Sequence, residues 1–173
     1  VAFTHAAAEL GLEGVVAKRR NSRYDPGRRS RAWLKIKLRL EQEVVVAGWL
    51  PGQGSSAELG SLVVAVSEDG HLRHAGQVGS GISESMRRTL LAQLAPIRVP
   101  DSALYPIPRL SDARWVEPRL VIRAEFAEWT TDGLLRQASF KGIEPAKDAA
   151  LVVREHPQPA ARIVTRARSS SGE

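Results

Sequence analysis

The chain has 173 residues, a net charge of +6, 43% hydrophobic residues and no cysteine. That length holds one ordinary domain, or a domain with part of another, and the lack of cysteine excludes disulfides, thiolate metal sites and cysteine catalysis. No run of about 18 apolar residues is present, which excludes a membrane-spanning helix, and the first residues lack the basic-then-apolar order of a secretory signal, which makes the cytoplasm the expected compartment.

In chain order, residues 5–11 read as the end of an alanine-rich helix stopped by Gly11. Residues 12–19 form a valine-rich run and hence a strand, Tyr24-Asp25-Pro26-Gly27 has turn chemistry, and residues 32–38 return as a second strand. Alternate strand residues share a face, so Lys35 and Lys37 project together while Leu34, Ile36 and Leu38 face the other way. Two ammonium groups on one side of a strand suit a phosphoryl group. Glu13, a lone carboxylate beside Gly14, is the candidate ligand for the divalent metal that such chemistry uses. The plainer readings are a surface acid and a solvated strand face.

The charge is concentrated in this segment. Residues 1–40 hold ten Lys and Arg against three Asp and Glu, whereas residues 41–173 hold fifteen against sixteen. A cationic stripe is the electrostatic footprint of a polyanion partner, although charge alone fits a solvated surface as well. Tyr24 and Trp33 lie within the stripe, and rings among cations favour nucleic acid because they stack on bases. Lys18, Arg19, Arg20, Arg28 and Arg29 are the candidates to face nucleic acid.

Residues 39–43 switch to polar and mark a candidate domain boundary. Beyond it, residues 44–50 and 59–67 read as strands separated by a Gly/Ser-rich loop, and Asp69-Gly70 is a hairpin signal leading into a strand over 71–78. Ser83 is placed to cap a helix over 84–94, with Met86, Leu90, Leu91 and Leu94 on one face and Pro96 as its stop. Residues 97–114 read as irregular; strands follow at 115–116, 120–129 and 134–140, with a turn at Thr131-Asp132-Gly133. Five short strands with one intervening helix predict a mainly β (α+β) fold, a five-stranded Greek-key barrel of the OB type. An SH3-like barrel is the alternative by pattern. Residues 155–173 are poor in apolar side chains and read as a disordered tail.

Three segments carry a resemblance in order: Leu12-Glu13-Gly14-Val15-Val16-Ala17-Lys18-Arg19; Trp33-Leu34-Lys35-Ile36-Lys37; and Glu125-Phe126-Ala127-Glu128-Trp129-Thr130 followed by Arg136-Gln137-Ala138-Ser139-Phe140-Lys141-Gly142. Over residues 5–155 the sequence resembles the C-terminal part of the ATP-dependent DNA ligases, in particular the ligase module of bacterial ligase D. The resemblance implies that residues 1–38 are the last part of an adenylation domain and residues 39–154 an OB-fold domain. It implies an enzyme that seals 3′-hydroxyl/5′-phosphate nicks or breaks in DNA repair and non-homologous end joining, through enzyme-AMP and DNA-AMP intermediates, with ATP and Mg²⁺. In that family the three segments are motifs IV, V and the start of VI. Carried over, Glu13 helps bind the metal, Lys35 and Lys37 contact the nucleotide phosphates during catalysis, Arg136 and Phe140 open motif VI, and Lys147 joins Arg136 in binding ATP. The implied partners are nicked or broken duplex DNA, a Ku-like end-binding protein and upstream polymerase or nuclease modules, with action at the nucleoid.

The sequence departs from the family in two places. The nucleophilic lysine of a Lys-x-Asp-Gly motif is missing: Asp69-Gly70 follows Ser67-Glu68, and Asp132-Gly133 follows Thr130-Thr131. With Val1 at its start, the chain is expected to be a fragment that cannot charge itself with AMP. In motif VI, Glu144-Pro145-Ala146-Lys147 stand where the family has Arg-x-Asp-Lys, and a carboxylate in place of a cation opposes a triphosphate. A local shift that brings Lys147-Asp148 into the motif is the other alignment. A non-catalytic OB-fold module that binds nucleic acid is the alternative function.

Overall fold

The computed structural model describes residues 6–7, 12, 14–23, 32–37, 39–54 and 58–155. The chain divides into two units, Val1–Leu38 with His156–Glu173, and Arg39–Glu155.

In the first unit Ala6 and Ala7 are helical. β1 (Gly14–Lys18) pairs antiparallel with β2 (Trp33–Lys37), with Gly14 opposite Lys37, Val16 opposite Lys35 and Lys18 opposite Trp33. This register puts residues 14, 16, 18, 33, 35 and 37 on one face of the ribbon. The pairing continues through Arg19 N–H to the Ala32 carbonyl at 2.8 Å. Val16 and Leu34 stay 60% and 61% exposed.

The second unit is a barrel built around one long strand. β3 (Leu40–Leu50) pairs with β7 (Val121–Phe126) along its first half, and with β4 (Ser61–Glu68) and the two-residue β6 (Arg114–Trp115) along its second. With β5 (His71–Val78) and β8 (Ser139–Ile143) the sheet order is β5-β4-β3-β7-β8. A parallel bridge between Ser80 and Ser139 joins the two outer strands, with Phe140 N–H donating to the Ser80 carbonyl at 2.8 Å. That bridge closes the sheet. The helix α1 (Glu84–Leu94) lies between the third and fourth strands of the barrel, the arrangement of an OB fold. The SH3-like alternative falls with it.

Alternation explains the core. Leu62, Val64 and Val66 of β4 join Val44, Val46, Trp49, Phe126, Leu90 and Leu94 in the main cluster. Val63 and Ala65 face the other side, where Leu104, Leu110 and Trp115 cover them with Ala47. Residues that read as irregular in the sequence therefore form the outer cover of the sheet. Ser83 caps α1 by accepting from Met86 N–H at 3.3 Å, and full burial of Leu90 and Leu94 contributes about 1.5–3 kcal/mol each.

Two strands differ from the sequence reading. β3 begins at Leu40 and takes in the polar residues that looked like a boundary. Gln42 is buried there, donating to the carbonyls of Glu43 and Val153 at 2.9 and 3.0 Å and accepting from Glu155 N–H at 2.9 Å. The strand expected over 134–140 starts only at Ser139 and runs to Ile143. Residues 130–136 are held instead by a turn in which Leu134 N–H donates to Thr130 Oγ1, and by the bridge between Trp129 and Leu135.

Candidate nucleotide and nucleic-acid site

Lys35 lies on β2, exposed, with no ion-pair partner among the described residues. Lys37 sits two positions on, and its backbone register gives it the same strand face. Lys18 stands on that face too, with its ammonium 6.0 Å from the centre of the Trp33 ring and in hydrogen-bond reach of the Ser22 carbonyl. Arg19 and Arg20 are exposed beyond the strand end. Glu13, Arg28 and Arg29 lie outside the described residues, as does the tail beyond Glu155. Among the described residues, the hairpin is therefore a short ribbon with cations gathered on one face and an aromatic ring among them.

On the barrel the residues expected to form motif VI are distributed differently. Phe140 is buried in the core, where it holds β8 against the closure. Arg136 is exposed and paired with Glu128 at 2.7 Å. Lys147 is paired with Glu43 at 2.6 Å, and this hydrogen bond and its charge raise the Lys147 pKa above the usual lysine value. Arg136 and Lys147 share no ion-pair partner.

Lys147 belongs instead to a ladder of ion pairs across β3, β7 and β8. Glu125 takes Arg39 at 3.9 Å and Lys141 at 3.1 Å, and Arg123 takes Glu144 at 3.4 Å and Glu41 at 4.0 Å. The register sets Glu41 directly opposite Glu125, a repulsive placement that the flanking cations offset. Lys141 reaches Glu125 because Arg123 pairs with Gly142 and Ala124 with Phe140, leaving Lys141 as the extra residue of a bulge. Arg39, Arg123 and Lys141 could not be recognised from the sequence as members of this face, since cross-strand register is not written in local spacing. Also unrecognised were Arg98 and Arg114, exposed cations without ion-pair partners among the described residues, each 5.9 Å from the Trp49 ring.

The donor chemistry differs between the expected cofactors. Phosphate oxygens fit the exposed cations, but on the barrel Arg136 and Lys147 must first release their carboxylates. Among the described residues no group of three or more His, Asp or Glu is placed to hold a metal ion. No described helix is long and apolar enough to cross a membrane.

An OB barrel following a cationic hairpin, with these motif residues in this order, is the architecture of a nucleotidyltransferase's C-terminal part. The family described as ATP dependent DNA ligase C terminal region matches residues 55–147, and the ATP dependent DNA ligase domain matches residues 1–37. The chain belongs to the ATP-dependent DNA ligase family. It is 45% identical over 150 residues to the multifunctional non-homologous end joining DNA repair protein LigD of Mycobacterium tuberculosis, an alignment covering 84% of this chain and 20% of that protein. The crystal structure of the ligase domain of M. tuberculosis LigD superposes with a TM-score of 0.66 at 42% identity, over 88% of this chain and 50% of that one. A mycobacterial DNA ligase D complexed with ATP and MES gives 0.61 at 41% identity, over the same shares. The chain thus spans about a fifth of the length of the curated relatives it matches.

Proposed function

We propose that this chain supplies the motif V phosphate grip and the OB domain of an ATP-dependent ligase that joins 3′-hydroxyl and 5′-phosphate ends of DNA during repair by end joining. The observation that carries it is the β1–β2 register, which gives Lys35 and Lys37 one strand face in a segment that belongs to the ligase family. Lys35 and Lys37 would hold phosphate charge as AMP passes to the DNA end and the backbone closes. Lys18, Arg19 and Arg20, with Arg28 and Arg29, would take up flanking DNA phosphates. Arg98 and Arg114 add two further cations on the barrel for the same polyanion.

ATP would supply the adenylate, through enzyme-AMP and DNA-AMP intermediates, and Mg²⁺ would neutralise phosphate charge with Glu13 as its protein ligand. The described residues assign no step to the metal. Arg136 and Lys147 would meet the triphosphate once freed from Glu128 and Glu43. The 173 residues contain no Lys-x-Asp-Gly, and a lysine amine is needed to form the enzyme-AMP phosphoramidate, so the adenylation step would fall to other residues of a complete ligase. A Ku-like protein and action at the nucleoid follow from the end-joining reading, since LigD is named for non-homologous end joining.

Incubation of the chain with labelled ATP and Mg²⁺ is expected to leave no covalent label, and addition of the upstream half of a related ligase in trans is expected to give nick sealing that Lys35→Ala abolishes. Sealing that survives Lys35→Ala would overturn the assignment. One observation favours a non-catalytic nucleic-acid module: Arg136, Lys141 and Lys147 are all already engaged by carboxylates. Under that reading the chain binds nicked duplex with steep salt dependence but never restores sealing.

A further inference from the structure

A cleft of about 330 Å³ opens on the barrel at the far end of the β4–β5 hairpin, and no residue of the ligase motifs lines it. Its position follows from a bulge. Val64 pairs with Gly76 and Ala65 with His74, so Ala75 is the extra residue on β5 and its carbonyl turns out to accept from Leu135 N–H at 2.9 Å. One position before Arg73, the Leu72 carbonyl accepts from Tyr105 N–H at 2.9 Å. The edge of β5 is therefore covered on both sides of Arg73 and His74, and the space between is the cleft. Bulges are used in this way to re-aim side chains.

Three of the cleft's residues carry nitrogen atoms with unusual status. Arg73 Nε, His74 Nε2 and Arg154 Nε are buried and make no hydrogen bond among the described residues, and all three residues line this one cleft. Buried polar groups are nearly always paired, so three unpaired nitrogens on residues of one cleft set it apart from the rest of the barrel. Arg73 is fixed through its Nη1, which donates to the Tyr105 carbonyl at 3.2 Å, while Glu68 forms an ion pair with its Nε at 4.0 Å, too long for a hydrogen bond. Arg154 stacks on Trp129 at 4.7 Å and has no ion-pair partner among the described residues. A guanidinium held flat by an aromatic ring, with its donors free, is preorganised for a two-oxygen anion.

The rest of the lining selects among anions. Ile107, Pro108 and Leu134 make an apolar lip, and Ile107 is 65% exposed. Glu68 and Asp132 also line the cleft and, with Glu68 paired to Arg73, limit its positive charge to what one anionic group needs rather than a polyanion. Nucleic acid carries a charge at every nucleotide; a peptide brings a single carboxylate with an apolar side chain next to it. We propose that this cleft docks a peptide carboxylate flanked by an apolar residue, contributed by a partner protein. Arg154 and Arg73 take the two oxygens, His74 donates or accepts beside them, and the apolar neighbour rests on Ile107 and Leu134. The site is independent of nucleotide chemistry and does not rest on the sealing reading.

The probe is the acetylated tetrapeptide Ala-Ala-Leu-Leu with a free C-terminal carboxylate, titrated into the ¹⁵N-labelled chain while the arginine Nε–H signals are followed by NMR. Arg73→Lys and Arg154→Lys each delete one signal and so assign it, and they keep the charge. The carboxylate peptide is expected to shift both signals saturably, and its C-terminal amide to bind about tenfold more weakly, as loss of a charge-assisted pair requires. Each lysine variant is expected to weaken the peptide without altering the chain's circular dichroism. Absence of a saturable shift up to tens of millimolar, or equal binding of acid and amide, overturns the proposal. So does tighter binding of inorganic phosphate or of a short oligonucleotide, which reassigns the cleft to nucleic acid.

Discussion

Glu144 Oε1 lies 3.4 Å from the guanidinium of Arg123, so the position where the ligase resemblance leads one to expect a cation carries a carboxylate already committed to a cation on the neighbouring strand. Both side chains are substantially exposed, and a pair of this kind contributes about 0–1 kcal/mol. The fold has little need of it. Glu144→Arg is expected to cost no more than about 1 kcal/mol in a urea melt. In a ligase completed by its upstream half, the same change should speed adenylation about tenfold, roughly the effect of one added charge-assisted contact to phosphate. Slower adenylation would mean that Glu144 acts by holding Arg123 in place.

Gln42 is 2% exposed and satisfies three backbone groups, two of them in residues 153–155. Gln42→Leu removes the amide while keeping its bulk, and leaves the Val153 carbonyl and Glu155 N–H without their partner. Each unsatisfied group costs about 1–3 kcal/mol if it stays buried. The last strand-like segment is the part free to relax. The expected result is a loss of about 1–3 kcal/mol with hydrogen exchange accelerated at the Glu155 amide. Unchanged exchange there would show that the segment is held by the Ser67–Val152 contact at 2.7 Å instead.

How much of this was legible in the sequence varied with how local the cause is. α1 could be read from Ser83, the leucine period and Pro96 because caps and amphipathic spacing act within a few residues. The hairpin at Asp69-Gly70 was equally local. The start of β3 was not legible: Glu41, Gln42 and Glu43 look like a linker until Arg123, Lys147 and the backbone at 153–155 arrive from more than eighty residues away. The strand misplaced over 134–140 failed for a related reason, since Leu135 is buried by a turn and a single bridge rather than by a ladder. At the site, alternation along β2 was readable, whereas the ion-pair ladder and the cleft depend on bulges at Lys141 and Ala75. Bulges shift which residues meet, and no spacing within one strand reports them.

His74 gives the barrel a pH dependence with a definite sign. Burial lowers its pKa from the ordinary 6.5, against a smaller opposing effect from its hydrogen bond with the Gly76 backbone. The unfolded chain then binds the proton more readily than the folded one. Stability is full above about pH 6.5 and falls as pH drops from there through the lowered folded value, by at most about 1.4 kcal/mol per pH unit. Urea midpoints taken from about pH 7.5 down to about pH 5.5, above the main carboxylate range, should decline, and His74→Asn should flatten that decline. Lys147 has the opposite sign: its raised pKa contributes below the ordinary lysine value and is lost as pH rises past it, outside this window. A decline that persists in His74→Asn would assign the proton to another group.

Barrel closure at Ser80–Ser139 depends on Gly81, which combines φ of +80° with a crowded Cα: a methyl group there would come within 2.6 Å of Ser139 Oγ and 2.7 Å of the Phe140 carbonyl. Gly70 offers the matched control, because its φ is +76° yet nothing lies within 4 Å of the same position. Gly70→Ala therefore measures the backbone cost alone, about 1–2 kcal/mol for a left-handed residue with a side chain. Gly81→Ala adds a clash with main-chain atoms that cannot rotate away, and overpacking of this kind costs a further 1–3 kcal/mol or so. The difference between the two variants isolates the steric demand of closure, and it should appear with faster hydrogen exchange at the Phe140 amide, whose partner is the Ser80 carbonyl. Equal losses for the two variants would mean that β5 and β8 separate without penalty and that α1 and the core around Phe126, not the closing bridge, hold the barrel shut.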